Sequence, residues 1–332
     1  RAMVGVAMIL ALALAQTPAA PAGQVEREGD VGNRLVADRH PRVRHLLGRL
    51  GMQPAGGGPA PKMESAIKPG ERWKRTFRKI RRAILQDEPT YYDMFENPGE
   101  RYFGRIYLHF IRQALQRHGF TAPLKLLDAG CQAGRLAIPL ARDGHSVIGV
   151  DTSDVALRRA RRHAAEQGTK LDLARADLAR WLPRCQDASF DGVLCAEVLY
   201  LRSNFRTLLQ ELIRVLRPGG LCFISHRPTA FYLAEAFQRR DWDAVRVALS
   251  QKEGTLFGSY YNWHDREELG SLYRSLGVEL LEIRTVGILS WLAVNPEDLE
   301  AEQQELLFQA DVDHRTLNEP GGRYLLAIGK KL

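Results

Sequence analysis

Near the middle of the chain stands LKLLDAGCQAGRLAIPLA, Leu124 to Ala141: an apolar run, a carboxylate, a small-residue bend and a second apolar run. KLLDAG has the length and composition of a buried strand, and GRLAIPLARDG after the bend predicts a helix. Glycine belongs where the backbone turns with unusual φ or approaches a ligand closely, so Gly130 and Gly134 mark a backbone cradle at the strand's carboxyl end. A dinucleotide fold would need G-x-G-x-x-G there, so that pyrophosphate meets the helix N-terminus. The chain has D-x-G-x-x-x-G instead. The carboxylate of Asp128 would repel two phosphates and welcome a cationic or hydroxyl-rich ligand.

Working outward, HSVIGVD predicts a second strand and DVALRRARRHAAEQG a helix, with Ser153 and Asp154 as cap candidates. KLDLARAD and FDGVLCAE predict the third and fourth strands. NFRTLLQELIRVLRPGG reads as a helix closed by Pro218-Gly219-Gly220, and LCFISH as a fifth strand. Helical REELGSLYRSLG then leads to VELLEIRTVG, and an acidic helical insertion precedes a final strand, GRYLLAIGKK. This alternation of short apolar strands with helices predicts an α/β fold, a parallel sheet covered on both faces. Ligands of such sheets bind outside the carboxyl ends of the strands, beside the first one. Asp151, ending the second strand, can accept bonds from both ribose hydroxyls of a nucleoside or can cap the next helix. Asp177 ends the third strand, where it meets either an adenine edge or solvent.

The whole chain carries a formal charge of +8, but residues 1–86 hold 16 Lys and Arg against 6 Asp and Glu, leaving 31 and 33 for the rest. The basicity belongs to the N-terminal part and says little about the body. Four cysteines, Cys131, Cys185, Cys195 and Cys222, lack any CxxC or Cys/His metal spacing, so no metal is expected and a reducing, cytoplasmic compartment is. The opening apolar stretch resembles a secretory signal and falls short of the roughly 20 residues of a membrane span; the reading adopted gives it no targeting role. Residues 1–62 read as this segment plus a Pro/Gly/Arg-rich linker, 63–118 as a basic amphipathic helix and N-terminal lid helices, and 119–332 as the catalytic domain. Insertions are expected at about 228–258 and 288–321.

Four elements in order resemble the class I S-adenosylmethionine-dependent methyltransferases, from roughly Tyr91 onward. LLDAGCQAG is similar to the family's first motif, VIGVD to the second strand with its ribose-binding acid, and ARADL to the adenine-contacting segment. FDGVLCAEVLYL and LLQELIRVLRPGGLCFIS are similar to the fourth and fifth strands with the helix between them. The resemblance implies a Rossmann-like, seven-stranded, mostly parallel sheet of order 3-2-1-4-5-7-6, strand seven antiparallel. It implies S-adenosylmethionine as cofactor. Gly130, Cys131, Gln132 and Gly134 would shape the loop under its methionine moiety, with Asp128 near the amino group. Asp151 and Thr152 would hold the ribose, Asp177 and Leu178 the adenine, and Cys195 and Ala196 would border the sulfonium. The departure is Gln132, where many members have glycine; it puts the local turn geometry in doubt.

Methyl transfer from a sulfonium is an in-line displacement that needs alignment and dryness, with a base only where the nucleophile arrives protonated. Glu197 after strand four, His226 after strand five and His264 are the candidate catalytic residues. Tyr200, Tyr261 and Trp263 are expected to border the acceptor, with Tyr91 and Tyr92 as a lid. The Asn/Asp-Pro-Pro-aromatic signature of N-methylating members is absent, so a small or medium organic acceptor methylated at oxygen is the expected substrate. Residues 72–85 could touch a membrane or, in the alternative reading, residues 72–82 grip RNA phosphates. A non-catalytic cofactor-binding partner protein is the other alternative.

Overall fold

The computed structural model describes residues 93–121, 123–292, 295–312 and 322–332. Tyr91, Tyr92, the basic helix and the N-terminal segment lie outside them. The first helix, α1 (Pro98–Arg117), starts where the sequence makes starting cheap: the Asn97 side chain accepts the Glu100 N–H at 3.0 Å and Pro98 needs no donor. Its stripe of Tyr102, Ile106, Tyr107, Phe110 and Ile111 is buried in the main core.

The central sheet follows the expected plan. β1 (Lys125–Ala129), β2 (Ser146–Asp151), β3 (Asp172–Arg175), β4 (Phe190–Cys195) and β5 (Leu216–His226) are parallel. β8 (Val278–Val286) and β9 (Tyr324–Lys331) complete seven strands in the order β3-β2-β1-β4-β5-β9-β8, β9 running antiparallel to both neighbours. Successive residues of β1 serve different faces: Leu126 joins the core with α1, and Leu127 the core with α5 (Phe205–Val215) and α8 (Arg266–Ser275). Side chains so fully buried contribute roughly 1.5–3 kcal/mol each. Between strands lie α2 (Ala137–Arg142), α3 (Asp154–Glu166) and α4 (Leu178–Trp181).

One expectation changes. The stretch LRPGG is the start of β5 itself, because α5 ends at Val215. Its glycines answer to packing: a Cβ on Gly220 would stand 2.8 Å from the Asp191 carbonyl oxygen, where the β4–β5 register shifts. The expected insertion after β5 is present and holds two helices. α6 (Thr229–Gln238) and α7 (Trp242–Ser250) are broken where Arg240 turns to φ +53° and Asp241 caps Ala244 N–H at 3.0 Å. With the hairpin β6 (Glu253–Leu256) and β7 (Ser259–Asn262) they enclose a small separate core around Tyr232, Leu256 and Trp263. Downstream, α9 (Leu289–Leu292) and α10 (Ala301–Val312) precede β9. No helix among the described residues is long and apolar enough to cross a membrane.

Candidate cofactor and acceptor site

The loop between β1 and α2 folds over the end of β2. The N–H groups of Gly130 and Cys131 donate to the Val150 carbonyl at 2.7 and 3.2 Å. Three of its residues take left-handed backbone conformations: Gly130 at φ +91°, Gln132 at +48° and Gly134 at +90°. A Cβ on Gly130 would collide with Val198 Cγ2, so this glycine lets the loops after β1 and β4 meet. Gln132 therefore occupies a glycine-like conformation without being glycine, at a cost of about 1–2 kcal/mol. What offsets that cost is visible: its N–H donates to Asp151 Oδ2 at 3.0 Å. The other oxygen, Oδ1, accepts the Ser153 N–H at 2.8 Å.

Asp128 is buried beneath the loop, its Oδ2 accepting the Ala137 N–H at 3.1 Å. Burial pushes its carboxyl up to about 7, against the opposing pull of Arg135 and that N–H. Cys131 and Leu178 are buried, and Thr152 is exposed. Asp177 caps α4 through Ala179 N–H at 2.9 Å and forms a fork with Arg202 Nη2 at 3.0 Å to each oxygen. Both readings of that acid are thus compatible with its place, but the cap and the ion pair already engage it.

Beyond β4, the buried Cys195 and Ala196 lead to Glu197, which is held at φ +62° by its N–H donating to Ser225 Oγ at 2.6 Å. Such strain in a non-glycine residue gathers at functional sites. Glu197 Oε1 pairs with Arg135 at 2.8 Å, and Oε2 accepts the Tyr324 hydroxyl at 2.6 Å. Arg135 reaches Glu100 as well, at 2.9 Å. Burial would raise the Glu197 carboxyl, but Arg135, the Tyr324 hydrogen bond, Arg323 and Arg227 outweigh it and hold it below its ordinary range. Tyr324 in turn accepts from Arg227 Nη2 at 2.8 Å, and Tyr200 lies 5.9 Å from the Tyr324 ring.

The histidines lie elsewhere. Along β5, Ser225 faces Glu197, so the strand's alternation sends His226 to the opposite face. There its Nε2 bonds the Tyr273 hydroxyl of α8 at 2.9 Å, and its ring meets His264 at 5.6 Å. Burial lowers His226 well below the ordinary range, the neighbouring His264 adding to it, and burial brings His264 down to about 4. The structure thus links Glu197 and Tyr200 through Tyr324, while the rings of the two histidines contact each other, Tyr273 and Phe205. Trp263 is fully buried against Tyr232 at 5.3 Å, and Tyr261 stacks on the same Tyr232 at 5.1 Å. Elsewhere Asp93, Glu96 and His163 are near enough to share a cation, but Asp93 and Glu96 already bond His163 and Arg162.

Arg135, Arg227, Tyr324 and Glu100 escaped the sequence reading. The available signal was weak: single charges inside apolar runs, as in GRLAIPL and ISHRPTAF.

The family model described as a methyltransferase domain matches residues 126–220. Among curated relatives, a ubiquinone biosynthesis O-methyltransferase of Maricaulis maris is 36% identical over 141 residues, 40% of this chain and 55% of the relative. A ubiquinone biosynthesis O-methyltransferase of Chromobacterium violaceum is 30% identical over 176 residues, 52% of this chain and 72% of the relative. The chain spans about half the length of the first curated relatives it matches, 55% and 51%. Among solved structures, the 1,6-didemethyltoxoflavin-N1-methyltransferase of Burkholderia thailandensis aligns with 17% identity and a TM-score of 0.49, covering 81% of this chain and 93% of that one. With the family's motifs in sequence order, its sheet order and a relative matched over most of its length, the chain belongs to the class I S-adenosylmethionine-dependent methyltransferases.

Proposed function

We propose that this protein methylates a hydroxyl oxygen of a small organic acceptor. The observation that carries the reading is the run of relatives named ubiquinone biosynthesis O-methyltransferase, 36% identical over 141 residues and 30% over 176 in two of them. The residues present suit S-adenosylmethionine. The left-handed turns of Gly130, Gln132 and Gly134 open the backbone over β1, while Asp128 and Asp151 offer carboxylates to an ammonium and a ribose. When bound, the cofactor supplies an electrophilic methyl carbon with a neutral thioether as leaving group.

The chain's own residues would then align and dry the reacting atoms. Glu197 fixes Arg135 and Tyr324 around the space beyond β4. Its depressed basicity suits it to orienting charge more than to taking a proton, so the acceptor's hydroxyl is expected to be acidic in its own right, as in a catechol. Tyr200 and Tyr261 stand as acceptor-side walls, and the compartment read from the free cysteines is the cytoplasm.

The test is incubation of the full chain with methyl-labelled S-adenosylmethionine and a panel of catechols, phenols and amines. Transfer to a catechol oxygen is expected. Label appearing on added RNA, or only on amines, would overturn the oxygen assignment. Binding of S-adenosylhomocysteine with no transfer to any of them would point to the non-catalytic alternative.

A further inference from the structure

Arg227, immediately after β5, is buried with no carboxylate among the described residues in hydrogen-bond contact, in contrast to Arg135, which has two. Its Nη1 donates to the Arg323 carbonyl at 3.0 Å and its Nη2 to the Tyr324 hydroxyl at 2.8 Å. The guanidinium stands over aromatic rings, 3.7 Å from the centre of Phe231, 3.9 Å from Tyr324 and 4.9 Å from Tyr200. With rings against its face, the guanidinium can receive a ligand only along its edge. Along that edge Nε is itself buried and has no hydrogen-bond partner among the described residues.

A second orphan lies beside it. Tyr232, next to Phe231 on α6, is 2% exposed and its hydroxyl has no partner among the described residues. It lies within electrostatic reach of Arg227, and its ring packs on Tyr261. A buried guanidinium with an unused N–H and a buried phenol with an unused O–H each carry a desolvation cost, the greater one for the charged group. Two unpaired donors in one aromatic setting, one of them cationic, match a planar anion that accepts along its edge. A carboxylate is the side-chain-sized group with that geometry.

Resting on the methyltransferase reading above, we propose that the free edge of Arg227, with the Tyr232 hydroxyl, anchors a carboxylate carried by the methyl acceptor. The acceptor would thus be an acid, held by its anionic end across the site from the cofactor loop. Arg227 is connected through Tyr324 to Glu197, so the anchor and the residue facing the reaction share one hydrogen-bonded chain.

The experiment measures binding of benzoate and its isosteric neutral amide, benzamide, by ligand-observed NMR on the full chain saturated with S-adenosylhomocysteine. Benzoate should bind at least tenfold tighter than benzamide. Arg227→Gln should erase that preference and Tyr232→Phe should reduce it about threefold. The second variant loses no existing bond, so it should melt no lower than the parent and covers the case in which Arg227→Gln fails to fold. Affinity for S-adenosylhomocysteine should stay within twofold in both. The inference is overturned if benzoate has no advantage, or if the advantage survives Tyr232→Phe and Arg227→Gln. A loss of S-adenosylhomocysteine affinity equal to that for benzoate would assign the edge to the cofactor's carboxylate and also overturn it. Should the parent protein not bind S-adenosylhomocysteine at all, the failure lies with the methyltransferase reading itself.

Discussion

Asp151 Oδ2 accepts the backbone N–H of Gln132 at 3.0 Å, so the acid that ends β2 holds the turn that follows β1. The acid proposed to hold the ribose is therefore a loop-positioning acid as well. Asp151→Ala removes both tasks. Calorimetry should show affinity for S-adenosylhomocysteine falling at least tenfold, since a lost hydrogen bond to a charged group costs roughly 1.5–3 kcal/mol. Thermal melting should fall too, because Gln132 and Ser153 lose their acceptor. An unchanged affinity would count against the assignment of this acid to the cofactor.

Gln132 at φ +48° predicts a split between two substitutions. Gln132→Gly removes the left-handed strain of about 1–2 kcal/mol but frees the unfolded chain by roughly 0.5–1 kcal/mol, for a net gain below about 1.5 kcal/mol. Gln132→Val meets a β-branched residue's stronger aversion to that region and should lose more than about 1 kcal/mol. Urea unfolding of the two variants decides it; equal effects would mean that the turn does not require positive φ.

Asp128 carries a pH signature. Its folded carboxyl stands at about 7 against an ordinary 3.8, so the folded protein keeps a proton there that the unfolded chain releases. The associated stability is complete below pH 3.8 and is lost as pH rises through 7, a change of roughly 4 kcal/mol. Asp128→Asn should flatten that slope in urea titrations between pH 5 and 8. If the cofactor's ammonium sits beside this acid, binding expels the proton, and the calorimetric enthalpy will differ between buffers of different ionisation enthalpy. Buffer independence would place the ammonium elsewhere.

His264 acts in the other direction. Its folded value of about 4 against an ordinary 6.5 means that stability present above pH 6.5 is lost as pH falls towards 4, by roughly 3 kcal/mol. His264→Gln should blunt acid unfolding in that window, with little effect on methyl transfer, since the ring faces Phe205 and His226. A large loss of turnover with normal acid stability would reverse that placement.

What was legible in the sequence was local. The cradle could be read because an acid, two glycines and a strand lie within a few residues; alternation predicted the parallel sheet, and its order came from the family resemblance. LRPGG was legible as a marker but not as a bulged strand start, because the reason for Gly220 is a carbonyl on a neighbouring strand. His226 looked catalytic by sequence because it ends a central strand; which face it takes depends on pairing with β9, where it stands opposite Leu325. Arg135 and Tyr324 meet Glu197, and Arg227 meets Tyr324, from segments up to 127 residues apart, and no periodicity records such a meeting.

β9 lies between β5 and β8 although the ribosome makes it after every other strand of the sheet. Until it arrives, two apolar edges stay unpaired, the kind of surface on which nascent chains stick to one another. Tyr324 opens that strand, and with it comes the hydroxyl that Glu197 and Arg227 share. The Glu197–Tyr324–Arg227 cluster and the closing of the sheet are thus a single late event in biosynthesis. A chain cut short before residue 324 would keep its cofactor loop and have neither.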